Sequence, residues 1–160
     1  MTDEMDSKDV DILEILRKDS RTSMGQIGKE LKMSKSTVSR RIAKLEEDEI
    51  IVNHSLELDP SKLNVIKSLL GIHVKGSSLP LVINELRIRK EVRFIYKAFG
   101  DHHIICEMYT NNVEELYDLI QTQLLVNPNI VKLDVDILVD RMVIDENADL
   151  KLYRSKIQPK

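Results

Sequence analysis

The chain has 160 residues, of which 42% are hydrophobic and 32% are charged, and its formal net charge at pH 7 is -3. This length allows one ordinary core or two small domains of roughly 50 to 90 residues each, and a change of pattern near Pro60 favours two. The net charge excludes a global basic field, so any contact with nucleic acid must come from a local patch.

Cysteine usage and apolar runs limit the possible location of the protein. Cys106 is the single cysteine, which excludes an intrachain disulfide and indicates a reducing compartment. Residues 1–7 lack the basic and apolar regions of a secretion signal, and no apolar run approaches the roughly 20 residues that cross a bilayer. We therefore expect a cytoplasmic protein that makes no contact with a membrane.

The segment 1–52 is predicted to form a helix-turn-helix domain. Apolar residues recur at helical spacing from Val10 to Leu16, and polar turn residues then end this first helix. Ser23 begins a second helix, and Ser34 caps a third after a tight turn.

Short strand signals follow the third helix. The first is the apolar run 50–52 and the second is the alternation over 55–59, which ends at Pro60. We interpret them as a wing followed by an extended hinge at 53–62.

The third helix is predicted to enter the major groove of double-stranded DNA. Val38, Ile42 and Leu45 form its apolar stripe, and the opposite face carries small hydroxyl and basic side chains. Small residues allow the helix to approach DNA closely, and hydroxyls reach phosphates or base edges. Arginine can donate two hydrogen bonds to the edge of one guanine. From residue 29 to residue 45 there are six basic residues and one acidic residue. The predicted DNA-contacting residues are Lys35, Ser36, Thr37, Ser39, Arg40 and Lys44.

A basic helix face does not by itself establish DNA binding, because three-helix bundles with a solvated basic face occur without it. Arg41 lies beside the apolar stripe, so we expect it to pair with an acid of its own domain rather than with DNA. The acidic run 46–49 would be repelled by phosphate, and this end of the helix should therefore point away from the duplex.

The segment 63–141 is predicted to be a ferredoxin-like βαββαβ domain, which makes the whole chain α+β. Alternating apolar residues mark its strands, and residues with one apolar face mark its helices. The order strand, helix, strand, strand, helix, strand is that of a split βαβ fold. These elements are predicted at 70–74, 79–86, 92–98, 104–108, 113–124 and 131–139.

Such a sheet carries helices on one face only, so its open face needs a cover. The predicted open face mixes apolar and oppositely charged residues, which favours a subunit interface between two sheets packed face to face. A homodimer would also place two recognition helices on a twofold axis, where they can read a palindromic site. Alternation assigns to this face Leu69, Gly71, His73, Arg93, Ile95, Lys97, Phe99, His103, Ile105, Glu107, Lys132, Asp134, Asp136 and Leu138.

With these elements in place, the chain resembles the Lrp/AsnC family of bacterial and archaeal transcription regulators, and the archaeal type in particular. The resemblance spans about residues 5–141. It implies a winged-helix-like DNA-binding domain joined by a hinge to a ligand-sensing domain of the RAM or ACT-like kind. It also implies dimers that assemble into octamers and bind amino acids between dimers. The motifs that carry it are Asp6 and Asp9 ahead of Ile12 and Leu13, the turn Asp19-Ser20-Arg21, Ser34, Arg41-Ile42, Leu45-Glu46, Leu58-Asp59-Pro60 and Gly100-Asp101.

The chain departs from the family pattern in two regions. Glu49 stands where the family usually has glycine, so either the turn is made differently or the third helix continues. After Gly100-Asp101 the family usually continues with Tyr-Asp, whereas this chain has two histidines, and the last strand carries two aspartates at usually Thr-rich positions. These changes leave the DNA-binding inference intact but affect the usual effector site.

The loop that begins at Gly100 is the predicted effector site. The resemblance implies that backbone amides of this loop hold a carboxylate while an aspartate of the last strand accepts an amino group, as for an amino-acid-like effector. The alternatives are a purely structural loop, or a metal bound by the histidines and Cys106. His103 and Cys106 lie three apart on a strand and face opposite sides, so we predict no metal and no cofactor. The candidate effector residues are Gly100, Asp101, His102, His103, Asp134 and Asp136.

Two other functions compete with transcription regulation. An enzyme is disfavoured because the sequence shows no catalytic triad, phosphate loop or dinucleotide-binding turn. An amino-acid sensor or assembly protein without specific DNA binding is the stronger alternative. The tail 142–160 is longer than the fold requires, and we expect it to add a strand or to cross to a neighbouring chain.

Overall fold

The computed structural model describes residues 5–157. The chain divides into two compact units, one made of Met1–Leu56 and Met142–Lys160 and the other of Glu57–Arg141. Within the described range, no helix is both long enough and apolar enough to cross a membrane.

The first unit begins with three helices, α1 (Ser7–Lys18), α2 (Met24–Leu31) and α3 (Lys35–Glu47). Each starts at a side chain that accepts hydrogen bonds from the first turn. Ser23 and Ser34 cap α2 and α3 as predicted. Asp6 caps α1 in a capping box with Asp9. These caps fix where the helices begin.

The core of this unit joins all three helices. Ile12, Ile27, Val38 and Ile42 form one buried cluster. The turn between α2 and α3 is tight because Gly28 allows it: a Cβ there would lie 2.6 Å from the carbonyl oxygen of Met33. The helix-turn-helix prediction is therefore confirmed in the packing as well as in the element order.

The strands expected at 50–52 and 55–59 do not form. Residues 48–59 contain no strand. Glu49 adopts the left-handed conformation with a φ of 55°, and the amides of Ile50 and Ile51 then both bond the carbonyl of Leu45. The helix therefore does not continue, and glutamate adopts a conformation that usually favours glycine.

The C-terminal tail forms a helix, α6 (Ala148–Ile157), rather than the expected strand. This helix packs against α1 in the same unit. Leu150 is buried, and Arg17 of α1 bonds both carboxylate oxygens of Asp149. Arg154 of α6 lies 2.9 Å from a carboxylate oxygen of Asp11 in α1. Ion pairs between the two helices thus add to the apolar contact that holds α6 against α1. The weak apolar pattern of the tail did not predict this packing.

The second unit has the predicted βαββαβ order. The elements are β1 (Ile66–Val74), α4 (Leu79–Arg87), β2 (Val92–Lys97), β3 (Ile104–Thr110), α5 (Val113–Leu119) and β4 (Ile130–Leu138), and a π-helical turn at Ile120–Leu124 extends α5. The sheet is antiparallel throughout, in the order β2-β3-β1-β4. The predicted ferredoxin-like fold is confirmed.

The core of this unit lies between the sheet and the two helices. Leu70 and Ile72 of β1 pack there with Val82 and Leu86 of α4. The remaining face of the sheet, which we call the open face, carries the alternate residues of each strand.

The predicted facing of β2 is wrong. The register shifts between Val92 and Phe94, so Val92 and Ile95 both pack against the core although they are three residues apart. Phe94 and Tyr96 lie on the open face, where alternation predicted Arg93, Ile95 and Lys97.

Candidate nucleic-acid interface and candidate ligand site

The start of α3 presents a cluster of hydroxyl groups. The side-chain oxygen of Ser34 accepts a hydrogen bond of 3.1 Å from the backbone amide of Thr37. It also lies 2.7 Å from the hydroxyl of Thr37 and 2.9 Å from that of Ser36. The cap therefore fixes two of the hydroxyls that the sequence assigns to DNA contact.

Five of the six side chains assigned to DNA contact lie opposite or beside the buried stripe of α3, and Lys35 lies in the first turn, in line with the stripe but ahead of it. The stripe is Val38, Ile42 and Leu45. Of the six predicted residues, Thr37 and Ser39 are half-buried and the others are exposed. The positive end of the helix dipole also lies at the N-terminus of α3, where it favours an anion such as phosphate. The exposed residues are Lys35, Ser36, Arg40 and Lys44.

Arg41 belongs to the interior of the domain. Its two terminal nitrogens bond Asp9 at 2.7 Å and Asp6 at 2.9 Å. The hydrogen bond to Asp9 raises the pKa of Arg41 above its ordinary value, although burial opposes the shift and the bond to Asp6 adds to it. The expected internal pairing is confirmed, and it separates the role of Arg41 from that of Arg40.

A second candidate site lies on the open face of the sheet. The loop between β2 and β3 places the ring of His102 over Gly71 of β1. A Cβ at position 71 would lie 2.3 Å from this ring, so glycine is needed for the contact. From this position the Nε2 atom of His102 reaches a carboxylate oxygen of Asp134 at 3.0 Å.

His73 of β1 lies beside this pair. Its ring centroid is 4.8 Å from that of His102, and its Nε2 atom is 3.6 Å from the same oxygen of Asp134. Strand register explains the meeting, because Gly71 lies opposite Asp134 and His73 lies opposite Lys132 in the pairing of β1 with β4. His73 lies on the open face as predicted, but it is not among the predicted site residues.

The other four predicted effector residues lie outside this group of three side chains. His103 is held to β1, since its amide bonds the carbonyl of Ile72 and its Nδ1 atom accepts from the amide of Val74. Gly100 has a φ of 132°, which favours glycine. Asp101 and Asp136 are exposed. The loop thus brings His102 to Asp134 but does not bring all six predicted residues together.

The charges around Asp134 stabilise its ionised form. Lys132 lies 2.7 Å from the carboxylate, and its hydrogen bond, followed by that of His102, lowers the pKa of Asp134. Cys106, by contrast, is fully buried on the core side, where burial raises the pKa of its thiol to about 11. The cysteine is therefore not part of a cluster with the histidines.

Comparisons with known proteins cover both units of the chain. Residues 5–52 match the family of winged helix-turn-helix DNA-binding domains, and residues 67–147 match the Lrp/AsnC ligand binding domain. The helix-turn-helix transcriptional regulator LrpA of Pyrococcus horikoshii is 33% identical over 121 residues, which cover 75% of this chain and 86% of that protein. LrpA of Pyrococcus abyssi is 30% identical over 139 residues, which cover 86% of this chain and 99% of that protein.

Solved structures show the same fold. The structure of Bacillus subtilis LrpC superposes with a TM-score of 0.78 at 24% identity and covers 89% of this chain and all 100% of its own. A Neisseria meningitidis transcriptional regulator in complex with L-Met superposes with a TM-score of 0.79 at 15% identity, covering 88% of this chain and 93% of its own. Both Pyrococcus relatives are transcriptional regulators. Because both of its units match and its relatives align over most of their length, the chain belongs to the Lrp/AsnC family of helix-turn-helix transcription regulators.

Proposed function

We propose that this protein binds palindromic DNA sites sequence-specifically, as a homodimer or as an octamer built from dimers, through the exposed side of α3. The observation that carries the proposal is that two adjacent arginines of α3 have different environments. Arg41 is bonded to two aspartates of its own domain, whereas Arg40 is exposed beside the hydroxyl cluster. Because Arg40 is exposed, its guanidinium group can bind a base or a phosphate of DNA.

The chemistry of this side of α3 suits a helix that enters the major groove with its N-terminus first. The Ser34 cap leaves small side chains at the point of closest approach. Lys35 adds a charge for a phosphate, and Arg40 lies in the second turn, within reach of a guanine edge. The acidic residues 46–49 lie at and beyond the C-terminal end of the helix, where their negative charge repels the phosphate backbone of DNA.

The open face of the sheet supports assembly into a dimer. It exposes the rings of Phe94 and Tyr96, which lie 6.2 Å apart. On the same face Lys67 lies 2.8 Å from Glu107, so these two charges are already paired within the subunit. A face of exposed aromatic residues and internally paired charges fits the apolar centre and polar rim of a subunit interface.

The proposed effector is a small amino-acid-like molecule bound at the loop of residues 100–103. Support comes from the match to a ligand-binding domain and from the neighbour whose structure contains L-Met. Backbone amides of the loop would hold the carboxylate. Asp134 is already bonded to Lys132 and His102, which favours Asp136 as the acceptor for the amino group.

Selection of bound duplexes from a random DNA pool tests the DNA proposal. We expect enrichment of inverted repeats whose half-sites are separated by about one helical turn, 10 to 10.5 base pairs, or a multiple of it. A pool that stays random while the protein binds DNA only weakly would favour the alternative, an amino-acid sensor without specific DNA binding.

The effector proposal needs a separate measurement. Light-scattering mass and affinity for the selected DNA should be measured with and without each of the twenty amino acids. A change caused by one of them, and lost in Asp136→Asn, would support the effector site. A protein that binds DNA with the same mass and affinity in all conditions would contradict it.

A further inference from the structure

Three potential metal ligands from separate parts of the fold meet on the open face. They are His73 of β1, His102 of the loop between β2 and β3, and Asp134 of β4. One donor atom of each lies within 4.8 Å of the other two. The three residues are far apart in sequence, so the sheet and the loop are what bring them together.

The position of His102 depends on the shape of the sheet. The missing side chain of Gly71 makes room for the imidazole, which would otherwise collide with a Cβ 2.3 Å away. The ring is held directly above the point where β1 pairs with Asp134. A surface histidine that merely pointed into solvent would not need this opening.

His73 supplies an independent observation. Its Nε2 atom is buried and has no hydrogen-bond partner, although it faces both the ring of His102 and the carboxylate of Asp134. Buried polar atoms nearly always have a partner. An imidazole nitrogen left without one, next to a second imidazole and a carboxylate, is suited to coordinate a cation.

We propose that His73, His102 and Asp134 form a binding site for a divalent transition-metal ion such as zinc. Two imidazoles and a carboxylate are ligands that zinc and its neighbours accept, whereas magnesium and calcium prefer oxygen ligands alone. Donor atoms about 2.1 Å from one ion and about 90° to 120° apart are separated by about 3.0 to 3.6 Å. The Nε2 atoms of His102 and His73 lie 3.0 Å and 3.6 Å from the carboxylate oxygen of Asp134, so these two separations meet the requirement. The donor atoms of the two histidines lie within 4.8 Å of each other, and the imidazoles would move closer together when they bind one ion.

The cluster differs from the metal group that the sequence suggested. That group depended on Cys106, which is buried in the core. His103 and Cys106 were rejected as a pair because they face opposite sides of a strand. His73 and His102 both lie on the open face, so this objection does not apply to them. Three protein ligands leave at least one coordination position for water or a small ligand.

Lys132 acts as an internal competitor for the metal. Its ammonium group lies 2.7 Å from the same oxygen of Asp134 that faces the two histidines. The lysine side chain is 63% exposed, so it can move into solvent when a metal binds. Removal of this lysine should therefore tighten metal binding, an effect that a purely structural contact would not produce.

Titration of the full-length protein with Zn²⁺ or Co²⁺, in buffer without amino acids or DNA, tests the site. We expect one ion per chain by calorimetry, visible absorption bands from bound Co²⁺, and a metal-dependent rise in the unfolding temperature. His73→Ala and His102→Ala should each weaken binding at least tenfold. His54→Ala is the matched control, because His54 lies in the first unit and pairs with Glu46.

Lys132→Ala keeps the test decisive if a histidine variant folds poorly, because it removes an exposed side chain that is not a ligand. We expect it to bind metal at least threefold more tightly than the unmodified protein. The proposal is overturned if no ion binds, if binding survives in both His73→Ala and His102→Ala, or if Lys132→Ala leaves the affinity unchanged. This inference is independent of DNA binding, and the use of metal alone separates it from the amino-acid effector.

Discussion

The terminal nitrogen Nη1 of Arg41 lies 2.7 Å from the carboxylate of Asp9, and this ion pair joins α3 to α1. The Asp9 side chain is only 14% exposed. Loss of the arginine would therefore leave a largely buried carboxylate without its main cation.

We predict that Arg41→Ala lowers the free energy of unfolding of the helix-turn-helix unit by about 1 to 2 kcal/mol, reduced from the value for a fully buried pair by partial solvent exposure. Urea denaturation monitored by circular dichroism measures this change. Arg21→Ala is the control, because Arg21 is 90% exposed and its contact with Asp19 is long. Equal stability of the two variants would show that the Arg41 pair does not support the domain.

A second prediction concerns the attachment of α6. Leu150→Ala should destabilise the same unit by about 2 kcal/mol, because a buried leucine loses its contacts and leaves a cavity. Leu152→Ala, at an exposed position of the same helix, should change stability by less than about 0.5 kcal/mol. If urea denaturation gives the same loss for both variants, helix propensity rather than docking explains it, and the packing of α6 on α1 is refuted.

A third prediction concerns pH. The hydrogen bond from Arg17 lowers the pKa of Asp149, so the folded state favours the ionised carboxylate. The resulting stabilisation is present above the ordinary aspartate pKa of about 3.9 and is lost as the pH falls through the lower value of the folded state.

Asp149→Asn should therefore reduce stability at pH 7 by about 0.5 kcal/mol, a value typical of a solvent-exposed pair. The difference between this variant and the unmodified protein should disappear in acid, below the folded-state pKa. Urea denaturation of both proteins between pH 7 and pH 2.5 measures it. A difference that stays constant over this range would exclude ionisation of Asp149 as its source.

A fourth prediction tests the open face as the dimer interface. Tyr96→Glu places a charge among exposed aromatic side chains and should shift the light-scattering mass toward smaller species. Tyr117→Glu is a matched control, because Tyr117 is exposed to a similar extent on α5, in the helical layer. A mass unchanged by Tyr96→Glu, or reduced equally by both variants, would place the interface elsewhere.

Much of the fold could be predicted because the spacing of apolar residues along the sequence indicates which side of a helix or strand is buried. The alternation of Leu70, Ile72 and Val74 identified β1 and its core side, and Ser23 and Ser34 identified the helix starts. The facing of β2 could not be predicted in the same way, because a register shift breaks the alternation after Val92.

Other features depend on contacts between distant residues, which a local pattern does not contain. The docking of α6 requires ion pairs between residues 11–17 and 149–154. The site around Asp134 requires the register of β1 with β4 and the space above Gly71. The sequence therefore indicated His102 and Asp134 but gave no reason to join His73 to them.

The central claim is that α3 reads DNA through Arg40, and the most direct test compares Arg40→Ala with the unmodified protein on selected and on random duplexes. We predict that affinity for the selected site falls by about 1 to 3 kcal/mol, that affinity for random DNA falls less, and that stability is unchanged. Arg87→Ala, an exposed arginine at the end of α4, should leave both affinities unchanged. Unchanged affinity of Arg40→Ala for the selected site would contradict the proposed role of α3.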